Sequence, residues 1–237
     1  MQRNHSIDSL KFLCAILVIF IHTPWIYQDA ILPITRCAVP CFFMISGYLL
    51  FNKKEGIGKE RIKRNLRRVF KITLWATIVF IVWKEGINIK SGGYIPSDSE
   101  LLQWLFLNEC PFSGHLWYLY AYIYVLLIVG VVDIYRKWNV LLNLIPLLLL
   151  SDLAFGKYSM VLFGKEFPFI YVRNFLFVGL PYFSLGVFLK SIDIFKFLNK
   201  NTIRFVRGGN LVFFYFLFRE IYTYKYWKEP YERALHK

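Results

Sequence analysis

"NKKEGIGKERIKRNLRRVFKITLWATIVFIVW", residues 52–83, runs from a strongly basic stretch into an apolar one without a break. Its first half carries Lys53, Lys54, Lys59, Arg61, Lys63, Arg64, Arg67 and Arg68 against only Glu55 and Glu60. The apolar part, residues 66–84, is long enough to cross a hydrocarbon core of roughly 30 Å, for which about 17 to 20 helical residues suffice. Alone, the basic half admits two partners, nucleic acid or a membrane surface. The apolar half decides between them. A nucleic-acid binder is expected to present a basic patch on an otherwise soluble domain, whereas basic loops beside apolar spans are the topology signal of a membrane protein.

The rest of the chain repeats this pattern. Its 237 residues are 57% hydrophobic and 20% aromatic, with a net charge of +14, and the mean hydropathy is +0.45. That exceeds the apolar share of an ordinary soluble domain. Apolar stretches fall at about 8–26, 34–51, 66–84, 116–135, 139–155, 170–190 and 209–224, the last interrupted by Arg219 and Glu220. These long unbroken runs lack the alternation of barrel strands. The expected fold is therefore all-α, a polytopic transmembrane helix bundle of about six or seven spans in one membrane domain. No nucleic-acid partner is expected; membrane lipids are.

Loop charge sets the orientation. The connection from Lys84 to His115 holds Lys84 and Lys90 against Glu85, Asp98, Glu100 and Glu109, while Arg136, Lys137, Lys190, Lys196, Lys200, Arg204 and Arg207 make the later alternate loops basic. The positive-inside rule then places the N-terminus in the cytosol, with the first, third and fifth spans running outward. The N-terminus has the basic start and apolar core of a signal peptide, but no small-residue cleavage site follows. It is expected to stay as the first span.

Four constellations have chemical potential. In "KFLCAILVIFIH", residues 11–22, Lys11 and His22 close an apolar run; eleven steps of about 100° put them on nearly one helix face, about 16 Å apart along the axis. An ionisable residue within a span often marks function, and imidazole suits a general base near neutral pH, but one interhelical hydrogen bond would equally account for it. Pro24 is expected to end or kink this helix. In "VPCFFMISGYLL", residues 39–50, Ser46 and Gly47 let neighbouring helices approach closely. Arg64 and Arg67, three apart on one helix face, suit the phosphates of a donor bidentately, though topology signalling or anionic lipid would also explain them. In "GHLWYLYAYIYVLLI", residues 114–128, His115 and Trp117 suit a carbohydrate acceptor or an interfacial aromatic belt. Cys14, Cys37, Cys41 and Cys110 show no metal-site spacing and read as buried thiols; no metal ligand set is expected.

In order, these stretches resemble the integral-membrane acyltransferase family 3, which includes O-antigen, Nod-factor and fucose acetylases. "RNHSIDSLKFLCAILVIFIH" resembles the family's first helix, "VPCFFMISGYLL" the second, "RNLRRVFKITLW" the RxxR approach to the third, "GHLWYLYAYIYVLLI" the fourth and "RNFLFVGLPYFSLGVFL" the sixth. The resemblance implies a catalytic His22 supported by Lys11, with Arg64 and Arg67 associated with an acyl-CoA donor. Lys11 stands where many members have arginine, and Lys71 where proline is common.

The resemblance covers about residues 1–195. Residues 196–237 read as a basic loop, a marginal seventh span and a polar tail that match nothing in the family, and the expectation is a C-terminally truncated member. The expected activity is transfer of an acyl group, most often acetyl, from acyl-CoA as co-substrate, with no bound cofactor, to a hydroxyl of a cell-surface carbohydrate or its lipid-linked precursor. The expected location is the bacterial inner membrane. A transporter, a lipid-binding module or an inactive remnant are the alternatives.

Overall fold

The computed structural model describes residues 5–23, 28–88, 94–156 and 158–192. The described chain is all-α apart from one isolated bridge between Asn52 and Gly56. Residues 5–11 and 39–191 form one compact unit, and residues 12–38 belong to a second.

In the second unit the chain completes helix α1 (His5–His22), forms α2 (Gln28–Arg36) and reaches Ala38. Helix α1 ends where Pro24 leads the sequence to expect it, and the Thr23 hydroxyl donates to the Ile19 carbonyl at 2.9 Å. A side-chain hydroxyl thus takes up a terminal carbonyl that no further turn can satisfy.

The larger unit is built around α6 (Trp117–Ile134), whose Ala121, Val125, Leu126 and Val129 are fully buried. Helices α3 (Ala38–Leu50), α4 (Lys59–Asn88), α7 (Trp138–Phe155) and α10 (Leu180–Ser191) add Phe43, Ile62, Val69, Leu141, Phe183 and Val187 to the same core. Helix α4 shows how its sequence selects a face. Ile62, Val69, Thr73 and Thr77 are buried at helical spacing, while Phe70, Trp75, Val79, Val82 and Trp83 are more than half exposed. Apolar exposure on that scale is an aggregation liability in water and the normal outer surface in lipid. The two buried threonines return their hydroxyls to Val69 and Thr73 carbonyls at 2.9 and 2.7 Å. Burial of their polar groups therefore leaves no unsatisfied donor.

Among the described residues, three helices are long and apolar enough to cross a membrane: His5–His22, Gly114–Ile134 and Trp138–Phe155. The 30 residues of α4 span about 45 Å, but charges at both ends interrupt its apolar stretch. The stretch expected as the second span divides into α2 and the 13-residue α3. That expected as the sixth is broken too: α9 (Phe169–Val172) ends at Arg173 and Asn174, a π-helical turn covers Phe175–Gly179, and only then does α10 begin. Asn174 causes the break. Its backbone is extended, and its side-chain oxygen accepts from the Leu176 and Phe177 amides at 2.9 and 3.1 Å, capping the new helical start. The Lys84–His115 connection also holds a helix, α5 (Asp98–Leu107), started by a capping box between Ser97 and Glu100. Helix α8 (Ser159–Phe163) is a short turn after α7. The marginal span at 209–224 and the tail at 196–237 lie outside the described residues.

Helices α4 and α6 are antiparallel. At one end the Asp133 carboxylate accepts from the Ile57 and Gly58 amides at 3.1 and 2.9 Å; at the other, Thr77 and Tyr120 share a 2.7 Å hydroxyl bond and Lys84 Nζ donates to the Pro111 carbonyl at 2.6 Å. The unit thus has a basic end and an opposite end that carries α5.

Candidate active site

The basic end is built from an irregular turn closed by a pair of backbone hydrogen bonds. Asn52 and Gly56 exchange both backbone hydrogen bonds, at 2.7 and 2.8 Å, and the Arg61 guanidinium donates to the Leu50 carbonyl at the end of α3 at 2.8 Å. Gly56 and Gly58 adopt φ of 78° and 83°, a region that costs a residue with a Cβ strain. A Cβ on Gly56 would also run into an Asp133 carboxylate oxygen. Asp133 accepts a third bond from the Trp138 indole N–H at 3.1 Å, so one carboxylate ties the turn to α6 and α7. That turn fixes where α4 begins.

Over the first turns of α4, Glu60, Lys63, Arg64 and Arg67 line an open groove of about 300 Å³. The spacing 60, 63, 64, 67 keeps all four on one helix face. Among the described lining residues, three cations stand against one carboxylate, and planar guanidiniums are the side chains that bond phosphate oxygens bidentately. The structure thus brings Arg64 and Arg67 together and adds Lys63 and Glu60. Their helical spacing was available as a signal; Asp133, 75 and 76 residues from the amides it holds, had none.

Lys11 and His22 lie on the single helix α1. The Lys11 ammonium stands 3.7 Å from the Asp8 carboxylate one turn earlier. His22 is the last residue of the helix and is exposed. Cys14, between them, is buried, and none of the four cysteines is in a disulfide.

Gly47 packs where α3 meets α10. A Cβ there would strike the Phe183 carbonyl, and one on Gly186 of α10 would strike the Met44 carbonyl, so the two backbones touch through reciprocal glycines. Ser46 returns its hydroxyl to the Phe42 carbonyl at 2.8 Å. The neighbouring Phe43 packs edge-on to Tyr118, with ring centroids 4.9 Å apart.

His115 and Trp117 are at the opposite end of the unit from the arginine groove. His115 is exposed, with Nδ1 3.2 Å from the Ser113 hydroxyl. Trp117 is buried and faces the Arg173 guanidinium, whose carbon lies 5.1 Å from the ring centroid. One nitrogen of Arg173 bonds both oxygens of Glu109 at 3.3 Å. Between these segments the fully buried Asn108 donates to the Trp117 carbonyl and accepts from the Phe175 amide at 2.9 Å. Sequence reasoning missed Glu109, Asn108 and Arg173, which no local spacing connects.

The α5 connection is pinned by a further cluster. Tyr94 donates to Glu100 at 2.6 Å, and Lys84 Nζ lies 3.3 Å from the centre of the Tyr94 ring. Accepting that bond, with further help from Ser97, holds Glu100 at a pKa of about 2; the same bond, with burial, pushes Tyr94 up to about 12.

The all-α architecture and the apolar outer surfaces define a helical membrane protein. The sequence profile of the acyltransferase 3 family, described as an acyltransferase domain, matches residues 4–235, and the chain belongs to that family. The match extends past residue 195, where recognisable motifs end. Among curated proteins, a serine/alanine racemase of Enterococcus gallinarum is 29% identical over 133 residues, covering 52% of this chain and 18% of the relative. An amino-acid racemase of Enterococcus faecalis is 27% identical over 233 residues, covering 87% of this chain and 32% of the relative. The chain therefore spans about a third of the length of these relatives or less. No solved structure shows significant similarity to it.

Proposed function

We propose that the protein is a membrane O-acyltransferase that moves an acyl group, most often acetyl, from acyl-CoA to a hydroxyl of a cell-surface carbohydrate or its lipid-linked precursor. The observation that carries this reading is the open groove lined by Lys63, Arg64 and Arg67, on a chain of the acyltransferase 3 family. Charge-assisted bonds from the guanidiniums hold the donor's phosphates at the cytosolic face of the inner membrane. His22 takes the proton from the acceptor hydroxyl as its oxygen attacks the thioester carbonyl; the C–S bond then breaks, and the CoA thiolate leaves and is protonated. Formation of an acyl intermediate on His22 is the stepwise form of the same transfer. Lys11 supports the histidine electrostatically along α1, and the exposed His115 serves the acceptor, while Trp117, buried against Arg173, is not available as a sugar platform.

The test is acyl-CoA titration of the purified full-length protein. Replacing Arg64 and Arg67 with alanine is expected to weaken donor binding by about 1.5 to 3 kcal/mol for each charge-assisted bond lost. Lysine at both positions restores the charge without the bidentate fork, and recovers only part of the affinity. Unchanged titration in the alanine variant would assign the pair to topology or lipid contact.

The two relatives, a serine/alanine racemase and an amino-acid racemase, favour a second reading, a membrane module that binds or carries an amino acid. Transport or retention of labelled serine or alanine with no acyl-CoA consumed would select it. A new covalent product formed from the thioester would select the acyltransferase.

A further inference from the structure

The opening turns of α4 make a poor helix start by most local rules. Lys59, Lys63 and Arg67 follow one another at intervals of four, as do Arg64 and Arg68, with Glu60 the one carboxylate among them. Like charges at that spacing oppose helix formation. Cations also meet the wrong end of the helix dipole, whose positive pole lies at the N-terminus. The cap position holds Gly58, whose carbonyl accepts the first helical bonds from the Arg61 and Ile62 amides at 3.0 and 3.1 Å. Glycine has no side chain with which to hold the amides around it. Left to local sequence these turns would fray, yet they carry the side chains that line the arginine groove.

The missing cap comes from another helix. Asp133, buried near the end of α6, accepts from the Gly58 amide at 2.9 Å with one carboxylate oxygen and from the Ile57 amide at 3.1 Å with the other. Its negative charge sits at the positive pole of α4, the sign that offsets the run of cations. The oxygen that takes the Ile57 amide also accepts from the Trp138 indole at 3.1 Å, and the Trp138 ring packs edge-on to Phe51 with centroids 5.2 Å apart. The turn is thus gripped from both α6 and α7, with Ile57 and Ile62 buried beside it. Neither Asp133 nor Trp138 is among the described residues that line the groove, so their effect on a ligand there runs through α4.

We propose that Asp133 is the positioning residue of the arginine groove: by capping α4 from α6, it holds Arg64 and Arg67 in the register that a phosphate-bearing ligand requires. The inference rests on the acyltransferase reading above for the identity of that ligand. Two guanidiniums three residues apart bond one ligand together only while the turn between them is helical. Coupling of this kind is reciprocal, so a ligand on the arginines in turn tightens the bonds between Asp133 and the turn.

The test uses the full-length protein in phosphatidylcholine nanodiscs, with acetyl-CoA and inorganic pyrophosphate as probes. Asp133→Asn, which turns a donor toward one of the two backbone amides, is expected to weaken both by about tenfold, comparable with losing one hydrogen bond to a charged group. Trp138→Phe keeps the ring against Phe51 but drops its bond to Asp133, and is expected to weaken them severalfold. Turnover at saturating acetyl-CoA is expected to be kept, so that KM rises and kcat does not. In an Arg64→Ala chain the further loss from Asp133→Asn is expected to shrink, because part of what Asp133 positions is gone. Hydrogen exchange in the peptide containing Ile57 and Gly58 is expected to slow when pyrophosphate is added to the native protein. A lower melting temperature in Asp133→Asn with unchanged affinity would leave Asp133 a structural tie and overturn the proposal, as would an equal loss with and without Arg64. Binding of neither probe by the native protein would leave Asp133 no site to position and overturn it too. Pyrophosphate binding that depends on Asp133, without acetyl-CoA turnover, overturns the acyltransferase reading alone. Turnover with affinity indifferent to Asp133 overturns the positioning role alone.

Discussion

His22 lies eleven residues along α1 from Lys11 and ends the helix. If it is the base, His22→Ala loses general-base catalysis of about 10² to 10⁴-fold in rate while donor binding is kept. A histidine that only packs would instead cost one interhelical hydrogen bond, roughly 0.6 to 2 kcal/mol, and lower the melting temperature with turnover retained. Rate and thermal melt on the same preparation separate the two. Glu100 gives a second residue-scale expectation. Its folded pKa of about 2 lies below the ordinary 4.5 because the ionised form accepts from Tyr94 and Ser97. A depressed carboxylate stabilises the fold above its unfolded pKa and loses that contribution as pH falls through the folded one. Amide protection around Ser97 is therefore expected to hold steady above pH 4.5, to fall between there and about pH 2, and to lose this dependence in Glu100→Gln. Hydrogen exchange followed by mass spectrometry reads it.

Among the elements, α3 and α10 meet backbone to backbone through Gly47 and Gly186. Gly186→Val puts side-chain atoms where the Met44 carbonyl stands, and overpacking of this kind typically costs about 1 to 3 kcal/mol. A thermal melt in detergent is expected to show that loss, with Gly58→Ala as a contrast: there a Cβ meets nothing within 4 Å and only its φ of 83° opposes the change. The element scale also shows what was legible beforehand. The long spans at α1, α6 and α7 were visible because twenty or so apolar residues admit few alternatives. The break at Asn174 was not, because it depends on one side chain capping a backbone inside a stretch whose average polarity gives no warning; helix α5 went unread although its Ser97–Glu100 capping box is a local sequence signal.

At the scale of the whole molecule, the basic residues between 52 and 68 predict that a reporter fused after Lys59 reads as cytosolic and one placed near Gly93 as external. A reversed pair of signals would place the arginine groove on the side away from cytosolic acyl-CoA and exclude it as the donor site. By itself the sequence determined the all-α membrane class, the positions of the main spans and the pairing of Arg64 with Arg67. These follow from hydropathy and helical period, which are local properties of the chain. Only the tertiary structure decided that Asp133 pins the turn ahead of α4 and that Arg173 meets Glu109 and Trp117 at the opposite end of the bundle. It also decided that an apolar groove opens beside them. Those contacts join residues some 55 to 76 positions apart, and their partners are chosen by how the helices pack rather than by any period along the chain.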